Sequence, residues 1–283
     1  MTPAMSATPL RFSKMHGLGN DFAVFDAIHQ TVNLSPEQIR QLADRHRGIG
    51  FDQLLLVERS HSDHADFRYR IFNADGGEVA QCGNGARCFA RFVREHGLSE
   101  RRELRVETQN GLLLLIIENN ERITVNMGVP RHHPRDIPLC ADAEAPEYTV
   151  EVAETIYHFG AVSLGNPHAV LTVADVATAP VTSLGAVLTT HFMFPEQANI
   201  GFMQIINRTH LRLRVYERGS GETLACGSGA CAAAVIGIER GALDECVRVT
   251  LPGGELEVRW AGRGQPVWMT GPATTVFDGT IVL

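Results

Sequence analysis

The apolar positions along this chain fall mostly into short runs of β-forming residues rather than long helical stripes. Phe22 to Phe25, Asp52 to Glu58, Phe67 to Phe72, Leu104 to Thr108 and Leu112 to Glu118 are each of strand length. Gly or Asn punctuates several of their ends. Two helices are predicted in the first half. Ser35-Pro36-Glu37 supplies an N-cap, a first-turn proline and an acidic first turn, so a helix should open there and run to about His46, before Gly48. Another should begin just after Cys82-Gly83 and end near Gly97. Its second-half counterpart, Ala230 to Glu239, carries Cys231-Ala232-Ala233-Ala234-Val235-Ile236 and is apolar nearly all round. With no polar face to offer water, that helix should be enclosed by strands.

The pattern is also written twice. Leu18-Gly19-Asn20-x-x-Ala23-Val24 recurs as Leu164-Gly165-Asn166-x-x-Ala169-Val170, an offset of 146 (164 − 18). Ile49-Gly50-Phe51-x-Gln53 matches Ile200-Gly201-Phe202-x-Gln204 at an offset of 151 (200 − 49). A third block pairs Arg68-x-Arg70 with Arg212-x-Arg214, Gly77-Glu78 with Gly221-Glu222, and Cys82-Gly83-x-Gly85-Ala86 with Cys226-Gly227-x-Gly229-Ala230, at 144 (226 − 82). Three collinear blocks at nearly one spacing point to duplication of a half-chain unit. The predicted architecture is therefore α+β: two pseudo-symmetric domains, each a curled, mostly antiparallel sheet or barrel around a central helix, linked around Asn126 to Pro130.

Composition narrows the chemistry. With 283 residues, 44% hydrophobic and 20% charged, the chain reads as an ordinary globular protein of one large or two medium domains. A net charge of -7 offers no basic footprint for nucleic acid. No apolar stretch is long enough to span a membrane, and the leading segment lacks the apolar core of a signal peptide, so a cytoplasmic location is expected. Six cysteines in a chain of this length do not suggest a disulfide scaffold.

Candidate chemistry concentrates at Cys82 and Cys226. Cys-Gly-x-Gly at a strand-to-helix transition turns sharply and leaves amide N–H groups uncovered at the helix N-terminus, a site suited to a carboxylate. The same field favours thiolate. Two such loops, related by duplication, suggest a cysteine on either side of one ligand. Inverting a carbon needs a proton removed from one face and another delivered to the opposite face, which a thiolate and a thiol can do. Cys88 and Cys231 read as core, Cys140 and Cys246 as incidental, and His132-His133 as a surface loop. Pyridoxal phosphate would need a Schiff-base lysine, and Lys14 is the only lysine. Cys82-x5-Cys88 and Cys226-x4-Cys231 are too wide for the usual close metal-ligand pair. No cofactor and no metal are expected.

At these residues the chain resembles the diaminopimelate epimerase family. The resemblance is carried by Met15-His16-Gly17-Leu18-Gly19-Asn20-Asp21-Phe22, Arg47-Gly48-Ile49-Gly50-Phe51-Asp52-Gln53, Asn73-Ala74-Asp75-Gly76-Gly77-Glu78 and Gln81-Cys82-Gly83-Asn84-Gly85-Ala86-Arg87-Cys88. The second half adds Gly165-Asn166-Pro167-His168, Asn199 and Glu217-Arg218-Gly219-x-Gly221-x-Thr223-x-x-Cys226-Gly227-Ser228-Gly229. It implies interconversion of LL- and meso-2,6-diaminopimelate, without pyridoxal phosphate or metal, in an interdomain cleft, a step toward lysine and peptidoglycan precursors. Cys82 and Cys226 would be the two bases. The amides of Gly83, Asn84, Gly227 and Ser228 would hold the reacting carboxylate. Asn73, Asn166, Asn199 and Arg218, with Glu217, would read the distal amino-acid centre; Asn20 and Gln53 would line the substrate, and His168 with Glu217 would support the reacting centre. It also implies a homodimer, and domains of 1–126 with 272–283, and 127–271.

Three alternatives stay open. A proline or hydroxyproline epimerase would use the same paired-cysteine plan but would not need Asn73, Asn166, Asn199 and Arg218. A non-catalytic binding protein of this fold should have lost a cysteine. A thiol-redox enzyme would keep its cysteines close together in sequence.

Overall fold

The computed structural model describes residues 9–79 and 82–283, so Gln81 of the first cysteine loop and the leading segment lie outside it. The chain divides into two compact units, one reaching to Val125 and including Pro272–Leu283, the other Asn126–Gly271. In the first, β1 (Leu10–Gly17) and β2 (Asn20–Asp26) form a hairpin, and α1 (Pro36–Ala43) leads to β3 (Gln53–Arg59), which lies parallel to β2. Then come β4 (Phe67–Asn73), β5 (Glu78–Val79), α2 (Gly83–Glu95), β6 (Glu103–Thr108), β7 (Gly111–Ile117) and β8 (Ile123–Asn126). All neighbouring pairs are antiparallel except β2 with β3 and β4 with β6. The last strand of the chain, β18 (Thr274–Ile281), pairs antiparallel with β1.

The second unit repeats this scheme. After β9 (Tyr148–Val152) come β10 (Thr155–Ser163), β11 (Pro167–Thr172), α3 (Val181–Thr189), β12 (Asn199–Asn207) and β13 (His210–Glu217). β14 (Gly221–Glu222), α4 (Gly227–Glu239), β15 (Cys246–Leu251), β16 (Gly254–Arg259) and β17 (Trp268–Gly271) complete it. β11 lies parallel to β12 and β13 to β15, matching the two parallel pairs of the first unit. Each sheet curls around its own helix. α2 packs on β1, β2, β3, β7 and β18, and α4 on β10 to β13 and β15 to β17. In α4 the run Cys231 to Ile236 is buried on every side, as its composition requires.

The strand register corrects one sequence match. Phe22 pairs with Gln53, and His168 with Asn199, so Gln53 corresponds to Asn199 at the offset of 146 (199 − 53). Gln53 faces Asn73 across β3 and β4. Ile200 faces Tyr216 across β12 and β13, which puts Asn73 in the place of Glu217. The Ile-Gly-Phe-x-Gln match at 151 therefore slips by five residues (151 − 146): Ile49 to Phe51 precede their strand, whereas Ile200 to Phe202 lie inside theirs.

Two further departures have local causes. α1 stops at Ala43 rather than about His46, because the Asp44 carboxylate takes the His46 and Arg47 amides at 2.8 and 2.9 Å. α3, unpredicted, opens on Pro180, has no acidic first turn and carries Gly185, whose missing Cβ makes room for the Tyr216 ring.

Candidate active site

Both cysteines sit at the N-cap of a central helix, at the end of the strand pair that precedes it. The duplicated motif has a structural cause. Arg70 grips Glu78 with two hydrogen bonds of 2.8 Å, and Arg214 grips Glu222 with bonds of 2.6 and 2.9 Å, so each fork ties the short strand before its cysteine loop to the long one. Neither helix begins with an oxygen-bearing cap or an acidic first turn, which suits its amides to an incoming carboxylate.

In the first unit, Tyr69 OH donates to the Cys82 carbonyl at 3.3 Å and lies buried beneath the loop. Burial first, and the nearby Cys82 second, push its hydroxyl well above the ordinary tyrosine range. Cys82 Sγ lies 3.8 Å from Asn20 Oδ1, which also accepts from Asn84 Nδ2 at 3.2 Å. Gln53 Nε2 donates to Asn73 Oδ1 at 2.9 Å. Of the residues predicted in this half, Asn20, Asn84 and Cys82 thus form one cluster, and Gln53 with Asn73 a second pair beside β2.

In the second unit, Cys226 is buried and donates its thiol hydrogen to Glu217 Oε2 at 3.0 Å. Thr223 Oγ1 holds the other carboxylate oxygen at 2.5 Å. Burial, followed by the Glu217 charge and hydrogen bond, pushes the Cys226 thiol well above its ordinary range; the Gly229 amide and Ser228 hydroxyl oppose this and lose. The expectation that a helix mouth favours thiolate therefore fails here. Glu217 pairs with this thiol and Thr223, not with Arg218.

His168 is fully enclosed. Burial, then the Arg218 charge, lower it from 6.5 to about 3, so it is neutral. Its Nε2 lies 3.0 Å from Asn166 Oδ1, which makes Nε2 the protonated ring nitrogen, and Asn166 Nδ2 reaches Ser228 Oγ at 3.3 Å. Asn199 is held by main chain at both ends: Nδ2 donates to the Pro167 carbonyl at 3.2 Å and Oδ1 accepts the Arg218 amide at 3.0 Å. Arg218 is exposed, and among the described residues its guanidinium donates to the Glu196 carbonyl at 2.9 Å.

Three residues quoted only as parts of motifs, or not singled out at all, carry structural roles: Thr223, Asp52 and Tyr69. For Thr223 and Asp52 the signal was their place inside the matching blocks. His132, read as a surface residue, is instead largely buried with Nδ1 3.4 Å from Glu239, while His133 is exposed. Lys14 Nζ is committed to Asp21 at 2.6 Å and to the Gly50 carbonyl. Among the described residues no group of three or more His, Cys, Asp or Glu side chains is placed to hold a metal ion, and no helix is long and apolar enough to cross a membrane.

The duplicated, helix-centred sheets place the chain in the fold shared by proline racemases and phenazine biosynthesis proteins. A Bacillus anthracis protein of the PhzF family superposes with a TM-score of 0.70 over 98% of this chain and 100% of its own, at 17% identity. A hydroxyproline epimerase from Agrobacterium vitis gives 0.69 over 97% and 93%, at 15% identity. Sequence is more specific. The diaminopimelate epimerase family pattern matches residues 12–133 and 160–276, and the chain belongs to that family. It is 56% identical over 274 residues to the diaminopimelate epimerase of Nitrosospira multiformis, and 59% identical over 274 to that of Nitrosomonas europaea. Each match covers 97% of this chain and 99% of the relative.

Proposed function

We propose that the chain interconverts LL- and meso-2,6-diaminopimelate by a two-base reaction in which Cys82 and Cys226 serve one α-carbon from opposite faces. One cysteine, as thiolate, takes the α-proton; the other, as thiol, delivers a proton to the opposite face, and the two exchange protonation states with each turnover. Charge that builds on the α-carboxylate is met by the first-turn amides Gly83, Asn84, Gly227 and Ser228. Glu217 holds the Cys226 hydrogen, and His168, neutral, sets the Asn166 amide. Asn20 and Gln53 line the substrate, and Asn73, Asn166, Asn199 and Arg218 read the distal centre. The two compact units act as the two halves of the duplication. By the same family resemblance, the protein works in the cytoplasm as a homodimer and supplies lysine and peptidoglycan precursors.

The observation that carries this reading is the recurrence of a cysteine at the N-cap of each enclosed helix, at equivalent places in the two units of a chain that belongs to this family. Turnover of LL-diaminopimelate in deuterated water tests it. Deuterium should enter at one α-carbon, and epimerisation should stop in both Cys82→Ala and Cys226→Ala. Full activity in either variant contradicts the two-base reading.

A further inference from the structure

The two units carry an asparagine at the same place, Asn20 and Asn166, and turn its amide in opposite directions. Asn20 Nδ2 lies 3.0 Å from Asp52 Oδ2. A carboxylate only accepts hydrogen bonds, so the end of Asn20 facing Asp52 must be its NH2 group, and the carbonyl oxygen must face Cys82 and Asn84. In the second unit the amide is reversed. His168 Nε2 meets Asn166 Oδ1, and the NH2 end faces the helix mouth at Ser228. The strand register puts Ala198 where the first unit has Asp52, and Pro167 where it has Asp21.

Asp52 is itself held. Arg45 donates to Asp52 Oδ1 at 2.7 Å and to both Asp21 oxygens at 2.8 and 2.9 Å. The Asp21 amide donates to Asp52 Oδ2 at 3.2 Å, the Asp52 amide to Asp21 Oδ1 at 2.9 Å, and Lys14 completes the set on Asp21. Burial works to raise the Asp21 carboxyl, but Arg45 and Lys14 overcome it and keep it ionised far below the usual range. The only lysine of the chain is thus spent on a charged network found in one half alone, ending at an amide beside Cys82.

We propose that Asp52 is a positioning residue: it fixes which end of the Asn20 amide faces Cys82, presenting an oxygen to the thiol hydrogen, where the second unit presents an NH2 group to its own helix mouth. An oxygen facing the sulfur stabilises the thiol and disfavours thiolate. Other ionisable groups near Cys82 among the described residues of this unit include Tyr69 from β4, on its carbonyl, and Cys88 and Arg87 from α2. None of them touches Asn20 in the way Asp52 does. The inference rests on Cys82 being a working base, but its test does not require turnover.

The test is the pH dependence of iodoacetamide alkylation at Cys82, followed by peptide mass spectrometry, because only thiolate reacts. In Asp52→Asn the carboxylate becomes a group that both donates and accepts, so Asn20 is free to turn its NH2 end toward the sulfur. The midpoint should fall by about 0.5–1 pH unit. Loss of the Asp52 charge acts in the same direction, so the same substitution is repeated in an Asn20→Ala background, where the shift should shrink to less than half. Equal shifts in the two backgrounds, or no shift in either, overturn the proposal. Asn20→Ala alone removes the accepting oxygen without touching the ion pairs and should also lower the midpoint; an unaltered profile there overturns it even if Asp52→Asn does not fold. If Cys82 is not a base of the reaction, epimerisation survives Cys82→Ala while these alkylation results stand.

Discussion

A carboxylate beside a buried thiol is an unusual choice, and its chemistry explains why Glu217 is held so firmly. Left alone, a buried thiol stays protonated; the adjacent negative charge reinforces this, so Cys226 rests as a proton donor. On the proposed two-base reading, Cys226 must lose its own hydrogen before it can take a substrate proton, and Glu217, 3.0 Å away, is a group that could accept it. Thr223 keeps the carboxylate from rotating away. Glu217→Gln should therefore lower kcat by about a hundredfold or more, in the range of a lost acid-base group. Thr223→Val should cost about tenfold, the worth of one orienting hydrogen bond. Steady-state rates in both directions check this; a Glu217→Gln protein with wild-type kcat would remove Glu217 from the chemistry.

At the level of elements, the second central helix, α4, is seated by close approach to its sheet. Gly160 on β10 has no side chain because Ile236 of α4 occupies the space: a Cβ there would lie 2.5 Å from Ile236 Cγ2. α4 is enclosed and cannot shift freely, so Gly160→Ala should destabilise the protein by about 1–3 kcal/mol, the usual range for overpacking. Ile236→Ala removes the clashing Cγ2, so Gly160→Ala should cost less in an Ile236→Ala background than in the wild type in a denaturant melt; an equal cost would mean that the strand, not the contact, is at fault. How much of such architecture can be read beforehand depends on what writes it. The helix after each cysteine was legible because composition alone leaves α4 no polar face. The duplicated Arg-x-Arg and Gly-Glu were legible as a repeat, but not as a fork, since pairing across a strand depends on register. Register also defeated the middle block: an Ile-Gly-Phe string can recur by chance, while the hydrogen-bond ladder equates Gln53 with Asn199 and Asn73 with Glu217. That equivalence is where the halves have diverged, an amide beside one strand pair and a carboxylate beside the other. α3 escaped because a helix with Gly185, two valines and no acidic first turn has little local signature.

For the whole molecule, the same buried groups set the range of pH in which the fold is stable. His168 ionises at about 3 in the fold, against 6.5 in a solvated chain. Between those values the unfolded chain binds a proton that the folded chain refuses, so stability declines as pH falls through that window. His210 is lowered in the same sense, by burial and then Arg248, but it is only partly buried and adds less. Carboxylates held below their ordinary values, such as Asp21 and Asp26, lose their contribution only at more acid pH, below about 4. At the other end burial pushes Cys88 up to about 12 and raises Cys226 and Tyr69. Above the ordinary thiol range of about 8.5 the unfolded chain releases protons the fold retains, and stability declines again. The melting temperature should therefore be highest between about pH 6.5 and 8.5. His168→Gln, which keeps a neutral polar side chain, should flatten the slope between about pH 6.5 and 5.5, above the range where the carboxylates titrate, and leave the alkaline slope intact. Cys88→Ala should do the reverse. A wild-type melting temperature that stays level from about pH 6.5 to 5.5 would mean that water reaches His168 and that the imidazole beside Asn166 is not the neutral, fixed donor on which the orientation of that amide depends.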